Sequence, residues 1–165
     1  MAKIEDKEKA ILDAAITVFA ERGFWNTPTS LVSKTARVAE GTLFNYFATK
    51  DDLINAVYLS IKRELADDLM HSFRAQKTFR DKMRDNWSRY IDWGLKNPEK
   101  FNVLQQISTS FKLDANVKSQ GMEPFVEIER LARQSIAKGE IHDYPVEYMA
   151  AMIDAQSAMT VRFIT

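Results

Sequence analysis

The chain has 165 residues, 45% of them hydrophobic and 28% charged, with 23 basic side chains balancing 23 acidic ones. That apolar content and length support one or two packed domains and exclude a disordered chain. A net charge of zero excludes recruitment of a polyanion by bulk charge, and the lack of cysteine excludes disulfides and thiolate metal sites. The opening "MAKIEDKEKA" has no apolar secretion segment, and no later run is long enough to span a bilayer, so a cytoplasmic location is expected.

Apolar periodicity is helical almost throughout, broken where the few glycines and prolines fall. A first helix is predicted from Glu5 to Arg22, with Ile11, Ala15 and Phe19 on one stripe and Gly23 as its left-handed stop. A second starts at Thr27-Pro28, with Thr27 as cap, and ends near Ala36. After the turn "RVA", a third covers Glu40 to Phe47. Thr49 caps a long fourth helix whose stripe runs from Ile54 past residue 70, with Asp51 and Asp52 in its first turn. Helices then follow over residues 78–96 and 99–111. "KLDANVKSQG" reads as a loop with about one helical turn, before helices over 125–138 and 146–163. The expected fold is all-α. Residues 1–48 form a three-helix head, and residues 49–165 form a helical body for ligand binding and dimerisation.

Two short helices joined by a three-residue turn form a helix-turn-helix, whose second helix lies in the DNA major groove. On a wheel of about 100° per residue, Leu43 and Phe47 point one way, with Gly41 and Asn45 opposite. Gly41 lets the backbone approach base edges, Asn45 can pair with an adenine edge, and Phe44 can touch a thymine methyl. Thr42 and Tyr46 share a flank where hydroxyls suit phosphate oxygens. Lys50 adds a charge at the amino end of the next helix. Within residues 27–50, Lys34, Arg37 and Lys50 face the single acid Glu40, a weak positive balance. Short helix pairs are also common in helical proteins with no nucleic-acid role.

The stretch "LVSKTARVAEGTLFNYFATKDDLINAV" resembles the helix-turn-helix segment of the TetR family of bacterial transcriptional regulators. Gly41, Thr42, Leu43, Tyr46, Phe47, Lys50 and Leu53 hold that family's spacing, and "ILDAAITVFAERGF" is similar to its first helix. The wording is especially like RamR-type regulators, which respond to drugs and bile-type amphiphiles. The resemblance implies a homodimeric repressor of double-stranded operator DNA, released by a small apolar or amphiphilic effector. It places Thr42, Tyr46 and Lys50 on phosphates, Gly41, Phe44 and Asn45 against bases, and Thr27 and Thr29 as further phosphate contacts.

Four departures stand out. Arg37 holds the turn position usually given to glycine, and must be left-handed at a cost of ~1 kcal/mol unless the turn differs. Glu40 replaces a basic or polar residue, so it either reads cytosine or is held away from phosphate. Ala39 replaces the usual Ser and cannot cap. The chain also stops after "VRFIT", without the last helix usual in the family, which leaves dimerisation in this form open.

In the body, Tyr58, Trp87, Tyr90, Trp93, Phe111, Phe125, Met149 and Met152 are the candidate ligand contacts. Aromatic rings with polar tips and adaptable Met suit flat apolar molecules, although such a stripe is more often plain core. Phe101 is a further aromatic residue of this kind. His71 and His142 stand alone, with no partner at metal-ligand spacing. No nucleophile-base pair or phosphate-cradling loop is evident, so neither an enzyme nor a cofactor is expected. The rival from another class is a helical ligand-binding or adaptor protein whose head does not bind DNA specifically.

Overall fold

The computed structural model describes residues 2–71 and 78–165, with side chains from residue 7 onward. The expected continuation of the fourth helix past residue 70 runs into residues outside that range. Helices α1 (Ala2–Arg22), α2 (Thr29–Thr35), α3 (Glu40–Tyr46), α4 (Lys50–Met70) and α5 (Phe79–Lys96) come first. They are followed by α6 (Pro98–Ser110), α7 (Ala115–Met122), a 3₁₀ turn (Glu123–Phe125), α8 (Val126–Ala137) and α9 (Val146–Ile164). No strand occurs among the described residues, as the all-α expectation required.

Local chemistry sets most of the boundaries. Gly23, at φ 75°, ends α1, with its N–H on the Phe19 carbonyl at 2.9 Å. Thr49 and Asp52 form a reciprocal capping box on α4. The Asp52 N–H donates to Thr49 Oγ1 at 3.1 Å, and the Thr49 N–H donates to Asp52 Oδ2 at 2.9 Å. Thr78 caps α5 in the same way, accepting from the Asp81 N–H at 3.1 Å.

Two expectations need correction. The residue capping α2 is Pro28, not Thr27, and no side chain caps that end. Thr27 is instead buried, its hydroxyl donating to the Gly23 carbonyl at 2.9 Å. Residues 115–122, expected as mostly loop, form the two-turn helix α7. Gly121 disguises it, because glycine costs roughly 1 kcal/mol in a helix and reads as a breaker. Here the missing side chain makes room: a Cβ at Gly121 would lie 2.6 Å from Tyr58 Cε1.

Packing divides the chain into two units. The first comprises residues 1–62 and 98–121, the second residues 63–97 and 122–165. In the first unit α1 packs on α2 and on α6, and α2 on α3. Its core holds Ile11, Ala15, Phe19, Phe24, Val32, Leu43, Leu53, Ile54, Val57 and Ile107, all essentially inaccessible. The aromatic rings of Phe24 and Phe111 meet edge to face at 5.8 Å and 90°. In the second unit α5 packs on α8 and α9, burying Tyr90, Ile91, Trp93, Ala132, Ala158 and Val161.

The Gly121→Ala substitution is expected to lower stability by roughly 1–3 kcal/mol through overpacking against the buried Tyr58 ring. Thermal melts of Gly121→Ala with and without Tyr58→Leu check this: the penalty should shrink when the ring is gone.

Candidate nucleic-acid interface

A seven-residue helix has one apolar turn to spend, and α3 spends it inward. Leu43 is fully buried and Phe47, its C-terminal cap, nearly so. The other side of the helix is left to solvent. Gly41, Phe44 and Asn45 are exposed, Phe44 at 43%, and Thr42 and Tyr46 are half-buried on its flank. No atom lies within 4 Å of where a Gly41 Cβ would be, so that backbone is open to a close approach from outside.

The turn before α3 is a complete Schellman motif. The Arg37 N–H donates to the Lys34 carbonyl at 3.1 Å and the Val38 N–H to the Ser33 carbonyl at 3.0 Å. Arg37 sits at its left-handed position with φ 57°. That conformation was the one its place in the turn demanded, and it costs a non-glycine residue about 1 kcal/mol. Ala39 makes no side-chain cap, as expected.

Glu40, left between two roles by the sequence, accepts a hydrogen bond from the Thr29 hydroxyl at 3.2 Å. The bond ties the first residue of α2 to the first residue of α3. It also engages the hydroxyl assigned to phosphate at Thr29. Lys50 Nζ donates to the Trp25 carbonyl at 3.2 Å, and the Trp25 side chain itself is exposed. Neither pairing is legible in the sequence, since both bonds join residues more than ten positions apart with no periodic signature.

The eight candidate ligand residues divide between the two units. Tyr58 and Phe111 belong to the first unit, the other six to the second. Phe111 is half-buried in the aromatic cluster with Phe24 and Trp25. Tyr90 is buried and donates to Asp154 Oδ1 at 3.3 Å. Trp87 and Phe125 are half-buried, Met149 likewise, while Met152 is 55% exposed on α9. Trp93 alone of the eight borders a cavity of about 390 Å³ in the second unit, with Glu64, Asp67, Asp68, His71, Arg89 and Asn97. Trp93 is the one apolar residue type in that lining; the other six residues carry charged or polar groups. Among the described residues no group of three His, Cys, Asp or Glu is placed to hold a metal ion. No described helix is long and apolar enough to cross a membrane.

Comparison with known proteins converges on this head. Residues 11–57 match the family of bacterial regulatory proteins of the tetR type. The chain is 34% identical over 68 residues to the uncharacterised HTH-type transcriptional regulator YhgD of Bacillus subtilis (strain 168), covering 39% of this chain and 36% of that protein. It is 28% identical over 83 residues to the fatty acid metabolism regulator protein of the same organism, covering 50% of this chain and 43% of that one. The matched stretch thus spans less than half the length of these curated relatives. A solved structure assigned to the tetR family of transcription regulators, from Shewanella sp. PV-4, superposes with a TM-score of 0.88 at 32% identity. That match covers 95% of this chain and 84% of the other. The Bacillus subtilis regulator FadR, solved in complex with stearoyl-CoA, shares the fold with a TM-score of 0.76 at 22% identity, over 93% of this chain and 84% of that one.

Because the Thr27 hydroxyl is spent inside the head, Thr27→Val is expected to lower stability by about 1 kcal/mol. The salt dependence of DNA binding should stay that of the parent; a shallower slope would return Thr27 to the phosphate contacts.

Proposed function

Since the chain belongs to the TetR family of bacterial regulatory proteins, we propose that it is a ligand-responsive repressor that binds operator DNA as a homodimer in the cytoplasm. The observation that carries the reading is α3 itself, a helix anchored by Leu43 and Phe47 whose opposite side presents Gly41, Phe44 and Asn45 to solvent. An exposed phenylalanine beside an amide is a poor solvent face but a good base-reading one. In this reading Asn45, Phe44 and the Gly41 backbone face bases, and Thr42, Tyr46 and Lys50 hold phosphates. Thr29 joins them only where Glu40 releases its hydroxyl, and Thr27 contributes by shaping the loop before α2. A chain without net charge relies on such local contacts.

Homodimer formation is supported by α9, which leaves Tyr148, Met152, Met159 and Phe163 exposed on the side away from its buried Ser157, Ala158 and Val161. A contiguous apolar surface of this kind marks an association site. The effector in this reading is a small apolar or amphiphilic molecule of the class that RamR-type regulators answer to, acting through the aromatic residues of the body. Tyr58 is the natural relay, being on α4 and in the same unit as the head. The relative crystallised with stearoyl-CoA supports an amphiphile over a polar metabolite. To act as a switch the ligand must bind the DNA-free arrangement better than the DNA-bound one.

Fluorescence anisotropy on the duplex upstream of the protein's own gene, against excess unrelated DNA, tests the core of the reading. Specific binding by two protomers per site is expected, and loss of all binding to competitor would overturn it in favour of a head idle on DNA. Tyr46→Phe should weaken every duplex by a similar factor. Asn45→Ala should cost about 1–3 kcal/mol, concentrated at one base pair. Equal losses on every altered operator would remove Asn45 from base reading.

A further inference from the structure

Arg37 is the only non-glycine residue among those described with a positive φ. Its place in the Schellman motif is one that glycine fills without steric cost. Backbone outliers kept against their cost concentrate where the side chain has a use. The use of Arg37 is not internal. Its side chain is exposed and makes no ion pair or hydrogen bond with any described residue. The same holds for Lys34, one turn back on α2, whose carbonyl accepts the Arg37 N–H. Two like charges at this spacing repel each other. No acid among the described residues pairs with either side chain to offset that repulsion.

The position of the pair relative to α3 suggests what does. At 1.5 Å per residue, α3 is roughly 10 Å long. Lys34 and Arg37 precede its first residue, and Tyr46 and Lys50 stand at its far end. The major groove is about 12 Å wide, so a helix of this length lying in it brings its two ends toward the phosphates of opposite strands. We propose that Arg37, with Lys34 beside it, is a phosphate contact on the amino-terminal side of α3, opposite Lys50. The left-handed backbone at residue 37 is retained because it carries this charge. A guanidinium suits the role, since its fork can hold two oxygens of one phosphodiester. The contact fixes register and carries no base preference. It rests on the DNA-binding reading above.

The test uses four forms of the full chain: the parent, Arg37→Gly, Arg37→Asn and Arg37→Lys. Glycine and asparagine both tolerate the left-handed backbone without the charge, and lysine keeps the charge. Each form is melted, then titrated across a salt series onto the upstream duplex and onto a random-sequence duplex. Arg37→Gly is expected to melt higher than the parent yet bind both duplexes several-fold more weakly. Its slope of log K against log salt should be shallower by about 0.9 for each head engaged. Arg37→Asn should lose as much, and Arg37→Lys should keep most of the slope. A glycine variant with the affinity and slope of the parent overturns the proposal, as does a loss confined to one duplex or one spared by asparagine. A parent that binds neither duplex defeats the regulatory reading itself, which is visible before any variant is compared.

Discussion

A seven-residue helix is not stable by itself in water, because nucleating one turn costs more than a few hydrogen bonds return. Helix α3 exists because Leu43 and Phe47 are buried in the first unit, where α2 packs against it. Everything presented by its other side depends on that anchorage. Rotate the helix by one residue and Phe44 would enter the core while Leu43 faced outward, exchanging the recognition surface for a greasy one. The Thr29–Glu40 bond and the Schellman turn at Arg37 add a second restraint, fixing where α3 begins relative to α2. Orientation is therefore held by packing at one end and by hydrogen bonds at the other.

The electrostatics of the head follow the same economy. A chain with no net charge has no long-range field to draw in a polyanion, so each cation near α3 must be placed individually. Lys50 is steered by the Trp25 carbonyl, and Arg37 by an unfavourable backbone. Glu40, the one acid between residues 27 and 50, is bonded to Thr29. Its charge is held at a defined point, whereas a mobile carboxylate would sweep across the surface and repel phosphate over a wider area.

Much of this was legible in the residues. Helix periodicity, Gly23, Thr49 and Thr78 announced most boundaries, and the spacing of Leu43 and Phe47 gave the inward side of α3. The left-handed state of Arg37 followed from its place in the turn. What stayed hidden depended on partners that helix propensity and periodicity do not reveal, most of them distant in the chain. Thr27 looked like a cap because Thr-Pro is a good helix start, but the Gly23 carbonyl offered its hydroxyl a buried acceptor. Gly121 looked like a breaker because local propensity knows nothing of the Tyr58 ring. Phe111 gave no hint of its ring neighbours Phe24 and Trp25. Tyr90 gave no hint of Asp154, which lies four helices further along, on α9.

The stitching of residues 98–121 onto residues 1–62 has a kinetic consequence. Phe19, Phe24 and the ring of Tyr58 sit in a unit whose remaining wall, α6 and α7, is made only after residues 63–97 have been synthesised. Contacts so far apart in the chain must wait for a loop to close before they give any return. On a ribosome, the helix-turn-helix would emerge before α6 and α7 and remain without part of its wall while the intervening segment is translated. Its apolar residues would stay exposed to chaperones and proteases during that interval.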